Sequence, residues 1–493
     1  MDGERRRRTI KRVLSGIELL AAVLVLAGCA QNPPNIYGVP GTSPSPAAPW
    51  KAPATAIMKP AAAKASPTLP QDILKSVKSL TLFNIVDIAL RNNPDTAAAW
   101  EDARSAAAAY GSELGAYYPQ IGATGDANWL QDYSQQVRTS FRERSYSAAV
   151  QLNWLLFDFG GREALVDESR LSLMAADWTH NAAIQTVMLN VETAYYNYVS
   201  SKALFEAQQA TYRQAETNLD AARDRHHAGV ATIADVLQAK TALAQAKLAL
   251  DSLEGQIQTT RGALATAMGI PANAPYDIEI PRNAANIEET LEKVDTYLAL
   301  AEEQRPDLAA ARAQAAKAEA HVRRVRAEAY PSINGAASWG RTRYDNTDVT
   351  GSNYGGSIQV SVPIFTGLSQ SYNVFQAQAD EKAARARLSS LEQQVVLQVW
   401  TSYYNLKTAV QRVRTTEDLL ESATESYDVA LGRYRAGVGS ILDLLSAQSA
   451  LEGARAQRVQ ANADWYVSLA QLARDTGTLN ISSTGPASGG PAK

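Results

Sequence analysis

Two patterns of apolar and polar residues alternate along the chain, and the change between them occurs at matching points in its two halves. Residues 95–116 and 307–329 are rich in Ala, Glu, Arg and Gln, which favour helix. A Tyr-Pro pair ends each of these segments, because the residue before a proline disfavours helical backbone. Beyond each Tyr-Pro, apolar and polar residues alternate one by one, which predicts β-strands.

Each alternating stretch predicts a hairpin of two strands with a polar loop. We place the hairpins at 119–157 and 331–365, with loops near 133–144 and 345–353. One strand face is apolar, the other carries Ser, Asn and Gln, and aromatic residues cluster near the strand ends. This combination favours strands that span a membrane, and a half-buried sheet in a soluble domain is the alternative. Four spanning strands cannot close a barrel, so such a chain must oligomerise, giving eight strands in a dimer or twelve in a trimer.

Very long helices are predicted after each β-hairpin. The chain has no proline from Gly160 to Arg225, which allows about 100 Å of helix at 1.5 Å per residue. We expect helical hairpins over 160–268 and 368–475. Apolar residues recur there at steps of three and four, with alanine often in the seam, so the helices can approach closely. Taken alone, these helices are equally typical of a soluble coiled coil or a dimeric bundle.

The folded region consists of two tandem sequence repeats. The stretch 225–243, RHHAGVATIADVLQAKTAL, matches 433–451, RYRAGVGSILDLLSAQSAL, at ten of nineteen positions. The helix-rich segments, the Tyr-Pro pairs and the strands recur at a similar offset. A repeat of this length indicates a duplicated structural unit, not a solenoid of short repeats, and we assign the two units to 80–285 and 286–476.

The repeated stretch is predicted to be the turn between the two long helices of each helical hairpin. Gly229 and Gly437 supply the unrestricted backbone that ends a helix. Asp235 and Asp443 then fall in the first turn of the returning helix, where a carboxylate stabilises the helix by under about 1 kcal/mol. In a symmetric oligomer the same aspartates would form a ring, which can select or gate ions at a constriction. Both interpretations stay open at this point.

The first thirty residues indicate export. A basic segment and a short apolar segment precede the sequence LAGC at 26–29, which matches bacterial lipoprotein signals. We predict that residues 1–28 are removed and that Cys29 carries a covalent lipid. It is the single cysteine of the chain, which excludes an internal disulfide. Residues 29–79 are rich in proline and predict an extended tether, and 477–493 predict a flexible tail.

Charge and candidate chemistry exclude several function classes. The net charge is −3 and 20% of the 493 residues are charged, so the chain has no generally basic surface for nucleic acid. Neither a phosphate loop nor a nucleophile elbow occurs in the sequence. The four histidines have no metal-ligand spacing with acidic partners; they are His180, His226, His227 and His321. We therefore predict no enzyme activity, no metal, no nucleic-acid partner and no cofactor besides the lipid.

Residues 80–475 resemble the TolC-type outer-membrane efflux family. The resemblance rests on the duplicated layout, the Tyr-Pro pairs, LNWLLFDFGGR and VSVPIFTG between strand and helix, and RYRAGVGSILDLLSAQ at the second turn. It implies an α+β membrane protein, a homotrimer whose 12-stranded β-barrel takes four strands per chain and continues as a long α-helical barrel. It also implies a passive exit duct in the lipid of the cell outer membrane, extending into the periplasm. A periplasmic adaptor (membrane fusion) protein and an inner-membrane efflux pump would complete the duct.

The resemblance also assigns roles to residues of the two turns. Asp443 matches an aspartate that rings the closed aperture. Tyr434 and Asp235 match a pair that links neighbouring hairpins and keeps the tunnel shut. Six residues match the tips that contact the adaptor: Ala228, Gly229, Val230, Ala436, Gly437 and Val438.

The sequence departs from the family pattern at two positions of the closing network. Gly439 stands where the family has an arginine, and Ser446 stands where it has a second aperture aspartate. We therefore expect a weaker lock, or one that uses Arg433, Arg435 or Asp428.

Two other functions compete with the exit duct. A periplasmic coiled-coil scaffold lipoprotein without channel activity would use the helices as spacers, but it predicts no aromatic band at the strand ends. A self-sufficient porin would need neither the long helices nor the repeated turns. The cargo and the energy source of the pump are not specified by these patterns.

Overall fold

The computed structural model describes residues 80–134, 139–278, 292–345 and 349–479. The predicted signal, the predicted lipidation site Cys29, the predicted tether and the last part of the tail lie outside the described residues.

The described chain runs helix, helix, strand, strand, helix, helix, and then repeats this order. The first copy contains α1 (Leu82–Asn92), α2 (Pro94–Leu114), β1 (Gln120–Ser134), β2 (Thr139–Phe157), α3 (Gly161–His227) and α4 (Ile233–Ala267). The second copy contains α5 (Val294–Gln304), α6 (Pro306–Ala327), β3 (Ser332–Tyr344), β4 (Thr350–Ser361), α7 (Ser369–Arg435) and α8 (Ile441–Asp475). The predicted α+β class with four strands and two tandem repeats is confirmed.

Local sequence explains where the helices begin. The helices α2 and α6 start with Pro94 and Pro306, whose fixed φ suits the first helical position. Asn93 caps α2, because its side-chain oxygen accepts a hydrogen bond from the Asp95 amide at 2.8 Å. The joint between the two short helices of each repeat is therefore set by a local signal.

The four strands form one sheet in the order β1-β2-β3-β4, and each strand is antiparallel to its neighbour. Val150 of β2 pairs with Ala123 on one side and Trp339 on the other, and Trp339 pairs with Tyr354. These side chains form one apolar row across a single face of the sheet. Among the described residues, β1 and β4 each have one edge that pairs with no other strand.

The ends of the hairpins differ from the prediction. Strands β1 and β2 stay paired as far as Ser134 and Thr139, so the loop predicted at 133–144 is too long. Ladder hydrogen bonds join backbone groups and do not require apolar side chains, so a polar run can continue a strand. Strand β4 ends at Ser361, before the predicted end of its hairpin, because Pro363 has no N–H to donate to a ladder.

The long helices dominate the structure. The helices α3 and α7 have 67 residues each, which is about 100 Å of helix, and α4 and α8 have 35 residues each. The N-terminal halves of α3 and α7 pack on the two sides of α6, and their C-terminal halves pack on α4 and α8. None of the helices in the described ranges combines the length and apolar character of a membrane-crossing helix.

The returning helix of each repeat ends against the joint of the two short helices. Gly269 follows α4 with φ +73°, and a Cβ there would lie 2.6 Å from the Asn92 carbonyl oxygen. Gly477 follows α8 with φ +79°, and a Cβ there would lie 2.7 Å from the Gln304 carbonyl. Only glycine allows both the positive φ and this approach of two backbones. The helical hairpins are therefore anchored here, and their turns lie at the opposite end of α4 and α8.

Candidate functional site at the helix tips

Both helical hairpins turn in the same way. Gly229 and Gly437 have φ values of +75° and +82°, the left-handed backbone that the sequence predicts for them. In the first turn the amide of Val230 donates to the carbonyl of Arg225 at 3.0 Å, and the second turn repeats this bond between the matching residues. This pattern is a Schellman motif, which satisfies carbonyls that the end of a helix leaves unpaired.

The two repeated aspartates cap the returning helices. The amide of Asp235 donates to the Thr232 hydroxyl at 3.4 Å, and that hydroxyl donates to the Asp235 carboxylate at 2.9 Å. Asp443 and Ser440 form a capping box, with amide-to-side-chain distances of 3.1 and 3.4 Å. Each carboxylate also lies at the positive end of a helix dipole. Helix capping within one chain is therefore sufficient to explain why both aspartates are repeated.

The two aspartates differ in exposure. Asp443 is exposed and lines a groove of about 600 Å³ between α7 and α8, together with Ser446 and Gly439. Asp235 is half-buried. Of the two residues, Asp443 is therefore the more accessible to solvent and to another copy of the chain.

Tyr434 lies in the core of the second tip. It is 1% exposed, and its hydroxyl has no hydrogen-bond partner among the described residues. Burial raises the pKa of Tyr434; the nearby Arg225 opposes this shift and Asp235 adds to it. The hydroxyl is therefore neutral at physiological pH. Within one chain, the pair predicted between Tyr434 and Asp235 has no hydrogen bond.

Arg225 makes the contact between the first tip and Tyr434. Its guanidinium lies 4.6 Å from the centre of the tyrosine ring, and its Nη1 donates to the backbone carbonyl of Tyr434. A cation over an aromatic face contributes about 1 kcal/mol, and a cation at the C-terminus of a helix adds a similar amount. Sequence reasoning missed this role. The identity of Arg225 and Arg433 marked the position, but it did not show which copy faces the other hairpin.

Packing accounts for the departure at Gly439. A Cβ at this position would lie 3.1 Å from both the Arg433 Cβ and the Tyr434 amide nitrogen. The Gly439 amide also donates to the Arg433 carbonyl at 3.1 Å. An arginine here would therefore crowd the end of α7. The three substitutes that the sequence suggests are all exposed on the described surface: Arg433, Arg435 and Asp428.

A buried polar layer joins three helices next to the tips. Asn218 of α3 is fully buried; its amide donates to Gln448 of α8 at 2.7 Å and its carbonyl oxygen accepts from Tyr427 of α7 at 3.3 Å. Hydrogen bonds of this kind are costly to break inside a protein, since the partners cannot turn to water. These residues could not be predicted from the sequence, because no local pattern distinguishes a buried Asn from an exposed one.

The middle of α3 contains a buried carboxyl group. Glu192 is 6% exposed, and its Oε1 has no hydrogen-bond partner among the described residues. Burial raises the pKa of Glu192 to about 7. Part of the population is therefore protonated at neutral pH.

The outermost surface of both tips is open. The six predicted adaptor contacts are all exposed; they are Ala228, Gly229, Val230, Ala436, Gly437 and Val438. The side chains of Val230 and Val438 are 64% and 69% exposed. Within the described ranges, no group of His, Cys, Asp and Glu is placed to hold a metal ion.

Comparisons with known proteins agree on one family. The family model described as "Outer membrane efflux protein" matches residues 85–270 and 297–478. The chain is 26% identical to Protein CyaE of Bordetella pertussis (strain Tohama I) over 387 residues, covering 77% of this chain and 80% of that protein. It is 24% identical to Outer membrane protein TolC of Escherichia coli (strain K12) over 381 residues, covering 73% and 75%.

A solved structure shows the same fold. The outer membrane protein VceC of Vibrio cholerae superimposes with a TM-score of 0.70 at 20% sequence identity, and the match covers 80% of this chain and 96% of that one. The fold of two tandem repeats, each with two strands and two long helices, is thus shared with an outer-membrane protein.

Proposed function

Because the chain belongs to the outer membrane efflux protein family, it is an exit duct of the outer membrane, and we propose that it acts as a homotrimer closed at its repeated helix tips. It is not an enzyme, and it serves a tripartite efflux or secretion system. The observation that carries the proposal is the four-stranded sheet, which has an apolar face and two open edges.

The sheet supports the trimer. The apolar row of Ala123, Val150, Trp339 and Tyr354 lies on one face, and Tyr354 is 85% exposed. Lipid is a suitable environment for such a face, and neighbouring copies can pair the open edges of β1 and β4. Three copies give the twelve strands of a closed barrel.

The helices carry matching evidence of a neighbour. In the half that packs on α6, the described contacts leave α2 and α7 at the two sides of the helical layer. Both helices expose large apolar side chains, Trp100 on α2 and Phe375 and Leu397 on α7. Exposed apolar surface of this kind marks a protein contact. We assign it to the next copy of the chain, so that the helices continue the barrel.

Closure is assigned to the tips. Three copies of the exposed Asp443 form a ring at the narrow end of the tunnel, and such a ring favours cations. Ser446, which stands where the family has a second aperture aspartate, adds no second ring of charge. Adaptor and pump partners are expected in general, and the exposed valines of the two turns suit contact with a periplasmic adaptor.

We also propose that Cys29 carries a covalent lipid in the outer membrane. The lipoprotein-like sequence at 26–29 supports this assignment. Labelling of growing cells with palmitate tests it, since Cys29→Ser should abolish the label while the protein still reaches the membrane by its barrel.

Mass and conductance test the duct directly. In detergent, we expect the purified protein to have the mass of three chains. In a planar bilayer, it should give a small, cation-selective conductance. Well-folded protein without channel activity would contradict the duct and favour a periplasmic scaffold. A large conductance without closure would contradict gating at the tips and favour a porin.

A further inference from the structure

The two helical hairpins of one chain meet at their tips through a contact that neither repeat makes alone. Arg225 lies in the last turn of the outgoing helix of the first hairpin, and Tyr434 lies in the last turn of the outgoing helix of the second. They are 209 positions apart in the chain, yet the Arg225 guanidinium covers the ring of Tyr434 and bonds its carbonyl.

This contact involves parts of Tyr434 that a tyrosine shares with a phenylalanine. Arg225 uses the ring face and the backbone carbonyl, whereas the buried hydroxyl has no partner among the described residues. The Tyr434 carbonyl also accepts the Gly437 amide at 3.1 Å, so Arg225 binds the end of α7 and its turn together. A movement of the second turn away from the first must therefore break the Arg225 contact.

We propose that Arg225 is a positioning residue of the closed duct, which holds the second helical hairpin against the first through the ring and carbonyl of Tyr434. The proposal rests on the proposed gated duct. Arg225 is not among the gating residues predicted from the sequence. Its contact with Tyr434 explains how the tips stay together although Gly439 supplies no side chain. Asp235 then acts as a helix cap, not as the partner that holds Tyr434.

Single-channel conductance of purified trimers tests this proposal. Arg225→Ala removes both contacts and should raise the conductance at least about twofold, because the second turn is released. Arg225→Lys keeps a cation over the ring and loses the planar donor group, so it should restore part of the closure. Arg223→Ala is the matched control: it removes the same charge from the same end of α3, where Arg223 is exposed and pairs with Asp220.

Tyr434→Ala and the double variant with Arg225→Ala sharpen the test. If both residues act through one contact, the double variant should open little further than Arg225→Ala alone. Each variant is compared only after its trimer mass and thermal unfolding match the wild type, which separates loss of closure from loss of fold.

The outcomes distinguish this proposal from the duct itself. A wild-type conductance in Arg225→Ala would overturn the role of Arg225, as would an equal opening in Arg223→Ala. If Asp235→Asn raised the conductance as much as Arg225→Ala does, the Asp235 carboxylate would be the group that keeps the duct closed. In each of these cases the wild-type channel still stands as a duct, whereas its absence would defeat the proposed function.

Discussion

The two helix tips share more than half of nineteen aligned residues, but matching positions lie in different surroundings. Arg225 is half-buried and covers Tyr434, whereas its counterpart Arg433 is exposed. Asn218 is fully buried between three helices, whereas its counterpart Ser426 is exposed. The comparison shows that duplicated sequence does not imply duplicated environment.

The arrangement of the helices explains the difference. In the half near the tips, α3 packs on both α4 and α8, while α7 packs on α8. The outgoing helix of the first repeat therefore packs along two helices, and that of the second repeat packs along one, with α3 reaching it at Tyr427 and Tyr434. A residue that faces the second neighbour of α3 becomes buried, and the matching residue of α7 stays exposed.

Replacing Asn218 should have the largest effect on the stability of the tip region. Asn218→Ala leaves Gln448 and Tyr427 without their buried partner. We expect it to destabilise the tip region by about 2–4 kcal/mol. Amide hydrogen exchange should become faster in the C-terminal half of α3 and the N-terminal half of α8, because local opening needs less free energy.

The matched control is Ser426→Ala, which changes the same position of the other repeat. Its side chain is exposed, so we expect a change within about 0.5 kcal/mol. If both variants exchanged equally fast, the two positions would have equivalent surroundings in solution and the comparison would fail.

The sequence predicted those features that depend on local signals. Period-two alternation gave the strands, the absence of proline gave the long helices, and Gly229 and Gly437 gave the turns. Each of these signals acts over a few residues, through backbone preference or the alternation of faces. The duplicated layout then set the order of elements in both halves.

The contacts between the tips could not be predicted in the same way. The bond from Arg225 to Tyr434 spans 209 positions, and the bond from Asn218 to Gln448 spans 230. Which arginine of the repeated pair faces the other hairpin depends on which helix has two neighbours, and no short pattern encodes that. The sequence did identify Gly439 as a departure, and the structure supplies the steric reason for it.

The middle of the long helices α3 and α7 also places matching positions of the two repeats in different surroundings. Glu192 is buried, whereas its counterpart Trp400 is 47% exposed. The pKa of Glu192 is about 7 in the folded chain, against an ordinary value of 4.5, so the folded state binds this proton more tightly. The stability from this group is therefore complete below pH 4.5 and decreases as the pH rises through 7.

Glu192→Gln should remove this pH dependence. Near pH 8 we expect this substitution to raise the free energy of unfolding of the trimer by about 1–3 kcal/mol. At pH values below the ordinary pKa of a glutamate, the free energy of unfolding should be almost unchanged. Glu206→Gln, at an exposed position of the same helix, should give no such gain. An equal gain at both pH values would mean that the buried charge is not its cause.

The smallest expected effect concerns Gly439 and its counterpart Ala231, where the first tip accepts a Cβ and the second does not. In Gly439→Ala the new Cβ would lie 3.1 Å from the backbone nitrogen of Tyr434, which can move only if the turn moves. We expect the free energy of unfolding to fall by about 1 kcal/mol and the conductance to rise, because the strain falls on Tyr434, the residue that Arg225 contacts. Ala231→Gly should affect neither hydrogen exchange at the second turn nor closure. A Gly439→Ala duct that stays as stable and as closed as the wild type would show that packing does not exclude a side chain there.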